Sequence, residues 1–248
     1  MEQKKTWIIA VALFAGLALA ALILGRSLER FRNEDRSVSV KGFSEREVKA
    51  DFAVWTIKAR VASNDLAGGS KAIEENKDKV IEFLLRNGIK PNEIIQKDLL
   101  VTDKKAQEYG GPTGDSFRYV IDKVIQVRSD SVDRVQRVSR MTDELLRAGV
   151  PLSSNPYDGT VKFIFTKLNE IKPEMMTEAT QNAREAAARF AKESNTRLGG
   201  LRKATQGLFT IVDRDDFLAG QTEGGFGGNN SDLYKKVRVV VSVEYSIN

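Results

Sequence analysis

The chain of 248 residues contains neither histidine nor cysteine. The second absence removes disulfides, iron–sulfur clusters, thiolate nucleophiles and Cys/His zinc sites. The first removes any Ser-His-Asp or Cys-His catalytic unit. A metal would need an all-oxygen site, and proton transfer would fall to Asp, Glu, Lys, Tyr or water. Proline is scarce, at five residues, so most of the chain is free to form helix or strand. Neither sign of charge dominates. The net charge of +5 is spread over 39 basic and 34 acidic residues, which suits a solvated surface. No clustered basic face is legible, so nucleic acid is not an expected partner.

One long apolar run stands out against this mixed background. From Trp7 to Leu24 the chain reads WIIAVALFAGLALAALIL, without a charged or strongly polar side chain. As a helix it would span roughly 27 Å, close to the hydrocarbon thickness of a bilayer. The residues expected to face lipid are Trp7, Ile8, Ile9, Val11, Leu13, Phe14, Leu17, Leu19, Leu22, Ile23 and Leu24. Lys4 and Lys5 precede the run and Arg26 follows it. Three readings compete: a single-pass anchor, a cleavable signal peptide using Ala18-Leu19-Ala20, and a buried soluble helix. The run continues past the A-x-A site and has no polar face, so the anchor leads. Basic residues on both sides make the positive-inside rule a weak guide. The short N-terminal segment favours N-in, C-out, which sends the rest of the chain across the membrane. Residues 1–36 are then anchor and charged stalk, and 37–248 form the folded domain.

Within that domain the periodicities are readable. Residues 37–43 alternate as a first strand. At 51–62, Ala53, Trp55, Ile57, Ala59 and Val61 share one face of a strand. Asn64 or Asp65 caps a helix whose apolar positions are Leu66, Ile73, Val80 and Leu84. Gly68 and Gly69 weaken its first turns, and Gly88 with Pro91 ends it. A strand at 94–104 and another at 117–128 form a hairpin around the loop 107–116. A helix over 131–147 follows, buried through Val135, Val138, Leu145 and Leu146. Four i,i+4 pairs decorate it: Asp130/Arg134, Asp133/Arg137, Arg140/Glu144 and Asp143/Arg147. A short internal repeat links the two helix ends, Leu84-Leu85-Arg86-Asn87-Gly88-Ile89 and Leu145-Leu146-Arg147-Ala148-Gly149-Val150.

After a strand at 160–166 and Pro173, a long helix runs to about Asn195. Its stripe is Ala179, Ala183, Ala186, Ala187 and Ala191. Gly199-Gly200 ends the segment. Strands at 203–213 and 235–247 flank the glycine-asparagine loop 219–232. The expected fold is α+β. It has an antiparallel sheet with helices on one face, a β-α-β-β-α-β core, a long helix and a C-terminal strand pair, behind a transmembrane helix.

The motifs offer little chemistry. GGFGGNN joins two strands and lacks the strand–loop–helix setting of a phosphate cradle. Asp213, Asp215 and Asp216 with Arg214 form an acidic cluster that reads as calcium site or charged turn. No catalytic residue, cofactor or metal ligand is assigned.

The C-terminal half carries a recognisable series: Phe163-Ile164-Phe165-Thr166, Leu168-Asn169, Ile171-Lys172-Pro173-Glu174-Met175 and Ala179-Thr180-Gln181-Asn182-Ala183-Arg184. Phe190-Ala191, Leu198-Gly199 and Ala204-Thr205-Gln206-Gly207 follow. Upstream, Val38-Ser39-Val40-Lys41-Gly42 looks like an opening strand. The chain resembles the SIMPL domain family of bacterial exported proteins, often described as oxidative-stress-defence or periplasmic immunogenic proteins. Relatives usually carry Pro-Asp where this chain has Ala50-Asp51. The resemblance covers 37–247 and implies an α+β fold; some relatives look like subunits of large homo-oligomeric rings or cages. It brings no catalytic residues. The function expected first is a non-enzymatic, membrane-anchored envelope protein that self-assembles and supports stress resistance. Its partners would be a second copy of itself, the bilayer and an envelope protein. The rivals are a binding module using loops 107–116 and 219–232, secreted or anchored, and a carboxylate or Ser/Lys hydrolase.

Overall fold

The computed structural model describes Phe14, Gly16, Ala21 and residues 36–106, 117–153, 160–215 and 230–248. The expected span Trp7–Leu24 therefore lies outside the described residues, apart from helical Phe14, Gly16 and Ala21. Among the described residues no helix is long and apolar enough to cross a membrane. The loop 107–116 and most of 219–232 also fall outside them.

The elements run in order as β1 (Ser37–Lys49), β2 (Phe52–Ser63), α1 (Leu66–Arg86), a 3-10 turn (Pro91–Glu93), β3 (Ile94–Asp103) and β4 (Tyr119–Ser129). Then come α2 (Val132–Ser139), α3 (Asp143–Arg147), β5 (Val161–Ile164), α4 (Leu168–Glu193), β6 (Leu198–Gln206), β7 (Thr210–Asp213) and β8 (Tyr234–Ile247). The fold is mixed α+β, as expected, but its strands form two sheets where one was expected. One has the order β3-β4-β2-β5; the other has β1-β8-β6 with β7 also on β8. The sequence break is Ala50-Asp51. The Ala50 N–H donates to Leu233 O at 2.9 Å, and the Asp51 carboxylate accepts from Thr166 N–H and Oγ1 at 2.7 and 2.9 Å. The Asp51 N–H donates to Ile164 O at 3.1 Å, so the backbone donors at the break are paired while the carboxylate ties it to the chain just after β5. The chain divides into two units, Met1–Glu45, Lys172–Phe209 and Arg238–Asn248 in one, Arg46–Ile171 and Thr210–Val237 in the other.

The larger unit is a split β-α-β fold. Its order β3-β4-β2-β5, with every neighbouring pair antiparallel, is what β-α-β-β-α-β chain order gives when each helix crosses one face. Alternation does the sorting: Ala53, Trp55, Ile57 and Ala59 on β2 and Ile121, Ile125 and Val127 on β4 are buried. Helix α1 meets them with Ile73, Val80, Phe83 and Leu84. Asp65 caps it, accepting from Ala67 N–H and Gly68 N–H. Leu66 is exposed and Gly69 takes its place on the buried face, because a Cβ at Gly69 would sit 2.8 Å from Ile121 Cδ1.

The helix expected over 131–147 is two helices, α2 and α3. The Arg140 and Met141 N–H groups reach back only three residues, to Arg137 O and Val138 O, which closes α2. Leu146 is exposed, whereas Val135, Val138 and Leu145 are buried as expected. Of the four charge pairs, Asp143–Arg147 forms, at 2.7 Å. Tertiary partners claim the others: Asp133 meets Lys49, Glu144 meets Arg86, and Arg134 turns to Gly88 O and Glu93.

The repeated helix ends are the same capping motif twice. Gly88 and Gly149 both have positive φ, 84° and 76°. The Ile89 N–H reaches Leu84 O and the Gly88 N–H reaches Leu85 O; Val150 and Gly149 repeat both bonds to Leu145 and Leu146. Each end also receives a cation from another helix. Arg134 Nη1 donates to Gly88 O and Lys79 Nζ to Ala148 O, both at 3.1 Å.

In the smaller unit, α4 begins at Leu168, upstream of the expected start, and contains Pro173. Its buried positions are Met175, Ala179, Ala183, Ala187 and Ala191, one every fourth residue. These small side chains let the helix lie almost against the backbone of β1, which extends to Lys49 and not merely to 43. A Cβ on Gly42 would fall 2.5 Å from Ala183 N, and closer still to the Ala179 carbonyl oxygen. Ser44 Oγ donates to Glu178 at 2.7 Å and Asn182 Nδ2 to Phe43 O at 2.9 Å. Gly199 and Gly200 lie inside β6, where its register against β8 shifts, and the strand expected at 203–213 is split between β6 and β7.

Candidate functional site

The feature with the clearest capacity to bind is the outer edge of the larger unit's sheet, which pairs with no further strand among the described residues. Strand β3 ends the order β3-β4-β2-β5. Its middle is apolar and open to solvent: Leu99, Leu100 and Val101 are 40%, 59% and 41% exposed. A sheet edge offers a row of backbone donors and acceptors, and apolar side chains beside it favour docking of another strand. The phase is fixed by Lys104, whose N–H donates to Arg118 O at 2.9 Å. Counting back along the regular register, Thr102 and Leu100 also point to β4. Leu99 and Val101 point their N–H and C=O groups away from it. A bulge between Gln96 and Leu99 ends the regular run.

Two ionic clamps hold the bases of segments that the sequence singled out. At the base of 107–116, Arg118 forms a forked pair with Asp103, 2.9 Å from Nη2 to Oδ2 and 3.2 Å from Nε to Oδ2. This pairing holds the Asp103 carboxyl below its ordinary range. Arg118 also stacks on the Tyr119 ring, 4.9 Å from its centroid. At the base of the 216–229 segment, Asp213 and Lys235 form a buried ion pair, 3% and 1% exposed. Asp213 Oδ2 further accepts from Ser231 N–H at 2.9 Å and from Asp232 N–H at 3.3 Å. The acidic cluster at 213–216 is thus divided. Asp213 turns inward to a lysine, Asp215 pairs with Arg214, and Asp216 lies outside the described residues. Among the described residues no three carboxylates converge as a metal site.

A third feature is a cleft of about 310 Å³ lined by Trp55, Ile57, Lys58, Ser139, Thr142, Leu152, Ser153 and Thr160. Hydroxyls dominate its polar lining. Lys58 Nζ lies 3.5 Å from Asp122 Oδ2.

Asp122 itself is buried and held by Arg60 at 2.7 and 2.9 Å. Burial pushes its carboxyl up, but the Arg60 hydrogen bonds and charge, with Lys58, outweigh that and the net shift is downward. A carboxyl depressed in the folded state stabilises above its unfolded value, about 3.9, and loses that contribution as pH falls through the folded value. Asp122→Asn should therefore lower the urea midpoint at pH 7. The gap to wild type should close progressively below about pH 4. A gap of constant size down to acid pH would show that the charge is not what Asp122 contributes.

The sequence predicts strand β3, but not its position at the edge of the sheet. An apolar run such as Leu99-Leu100-Val101 reads equally as a buried central strand; only the topology exposes it. The flanking charges Lys97, Asp98, Lys104 and Lys105 were the available signal.

No curated protein matches the chain. Residues 38–245 match SIMPL, described as a protein of unknown function (DUF541). That match covers the strands and helices of both units, and the chain belongs to the SIMPL family.

Proposed function

We propose that this protein is a non-enzymatic, membrane-anchored envelope protein that self-assembles into a homo-oligomer and supports envelope or oxidative-stress resistance. The observation that carries the reading is the exposed apolar edge of β3. The anchor rests on the uncharged run Trp7–Leu24, which would hold the domain at the periplasmic face of a bacterial inner membrane. Anchoring concentrates copies in two dimensions, so that weak edge contacts suffice for assembly. A stress role without cysteine excludes thiol redox chemistry.

The test is intact mass together with oligomer mass on protein extracted from native membranes in mild detergent. A full-length chain in a defined multimer is the expected result. A clean monomer over a wide concentration range would overturn assembly, and a chain shortened near Ala20 would replace the anchor with a cleaved signal.

A second reading is a binding module for an envelope partner or small ligand. It would use loops 107–116 and 219–232 and is favoured by the two clamps, Arg118–Asp103 beside the first and Lys235–Asp213 beside the second. Deleting both tips should then abolish partner capture and leave melting unchanged.

A further inference from the structure

We infer that the β3 edge pairs with the β3 edge of a second copy, antiparallel, about a two-fold axis through Leu100. This inference rests on the self-assembly reading and names its contact. The argument begins with hydrogen-bond phase. In an antiparallel ladder the residues that exchange bonds must both face the partner. Leu99 and Val101 face outward from β4, and Leu100 and Thr102 face inward. A strand paired with its own copy must therefore set outward residues opposite outward residues. Three registers near the apolar centre obey this rule, with the axis at Leu99, Leu100 or Val101.

Side chains choose among them. The bulge at Lys97–Asp98 limits the regular run to Leu99–Asp103, so the ladder rule pairs only residues of that run. With the axis at Leu99, Leu100 and Val101 fall against the bulge and only Leu99 meets an apolar partner, its own copy. With the axis at Val101, Leu99 faces Asp103 and Leu100 faces Thr102, an apolar–acid and an apolar–polar pair. With the axis at Leu100, Leu99 faces Val101 and Leu100 faces Leu100, so all three apolar residues meet apolar partners. Two-fold symmetry repeats the Leu99–Val101 contact. The bulged Lys97 then lies at the end of the run that meets the partner's Asp103, which already holds Arg118, so opposite charges close the contact. A self-complementary edge of this kind closes as a pair and offers no free end for a growing sheet.

The absence of native cysteine makes the register directly testable in the full-length chain. Single variants Leu99→Cys, Leu100→Cys and Val101→Cys each place a thiol on one of the three axes. At the Leu100 axis the pair is a non-hydrogen-bonded one, with Cα atoms about 4.5 Å apart, within disulfide reach. Leu208→Cys, at 82% exposed, reports collisional cross-linking. Under mild oxidation in detergent, Leu100→Cys should give at least about tenfold more covalent dimer than Leu208→Cys, with the other two near background. Leu100→Lys, which sets like charges at the axis, should lower the oligomer mass while leaving circular dichroism and melting unchanged. Stronger cross-linking from Leu99→Cys or Val101→Cys would overturn the register. Background cross-linking from all three, with wild type still multimeric, would overturn the β3 contact and leave self-assembly standing. A monomeric wild type would overturn both.

Discussion

Replacing Lys235 with methionine is expected to destabilise the larger unit by roughly 3–5 kcal/mol, the usual cost of removing one partner from a buried ion pair. The magnitude follows from what is left behind. Asp213 is 3% exposed, so its carboxylate would stay buried without a cation. Its bonds from the Ser231 and Asp232 N–H groups would remain, but two neutral donors do not balance a full charge. The double variant Asp213→Asn with Lys235→Met should recover most of the loss. It removes the orphaned charge and keeps an oxygen to accept from Ser231. Urea unfolding of both variants checks the claim. A single variant that matches wild type would mean that the pair is not dry in solution. A double variant no better than the single would assign the cost to lost packing by the lysine stem.

The second large effect is expected at Gly42. Alanine there should destabilise the smaller unit by upwards of about 3 kcal/mol, at the severe end of overpacking. The obstacle is backbone: the new methyl would lie 2.5 Å from Ala183 N and 2.7 Å from Ala183 Cβ. A flexible side chain could swing aside, but helix α4 cannot retreat locally without pulling Ala179, Ala183 and Ala187 away from their contacts together. Phe43→Ser, on the exposed neighbour, is the control and should change melting little. A Gly42→Ala variant with wild-type melting would show that helix and strand are less closely seated than the geometry has them.

Gly42 also illustrates what a sequence can and cannot reveal. The stripe Ala179, Ala183, Ala186, Ala187 and Ala191 was legible as a surface for close approach, with Ala186 only half-buried in the fold, yet the residue it approaches was not. SVSVKGF reads simply as a strand, and the need for glycine arises only once helix and strand meet. Local chemistry was more readable. Asp65 as a cap, Gly88 as a left-handed stop and the alternation from Val237 to Tyr245 all follow from rules that act within a few residues. The break between α2 and α3 escaped because no proline or glycine marks it. Tertiary partners such as Lys49 and Gly88 take Asp133 and Arg134 away from the pairs that would have supported one helix. The candidate edge failed for a related reason. Which strand ends a sheet is a property of pairing order, and the residues of β3 contain no record of it beyond their flanking charges.

The reciprocal cations at the two glycine-stopped helix ends carry a consequence for dynamics. Lys79 on α1 completes the end of α3, and Arg134 on α2 completes the end of α1. Both donors stand within helices rather than at the frayed ends, so separating α1 from α2 and α3 takes away both cations at once, whereas fraying of a single end does not. The repeated stop in the sequence becomes, in the folded chain, a pair of contacts that ties these helices to one another.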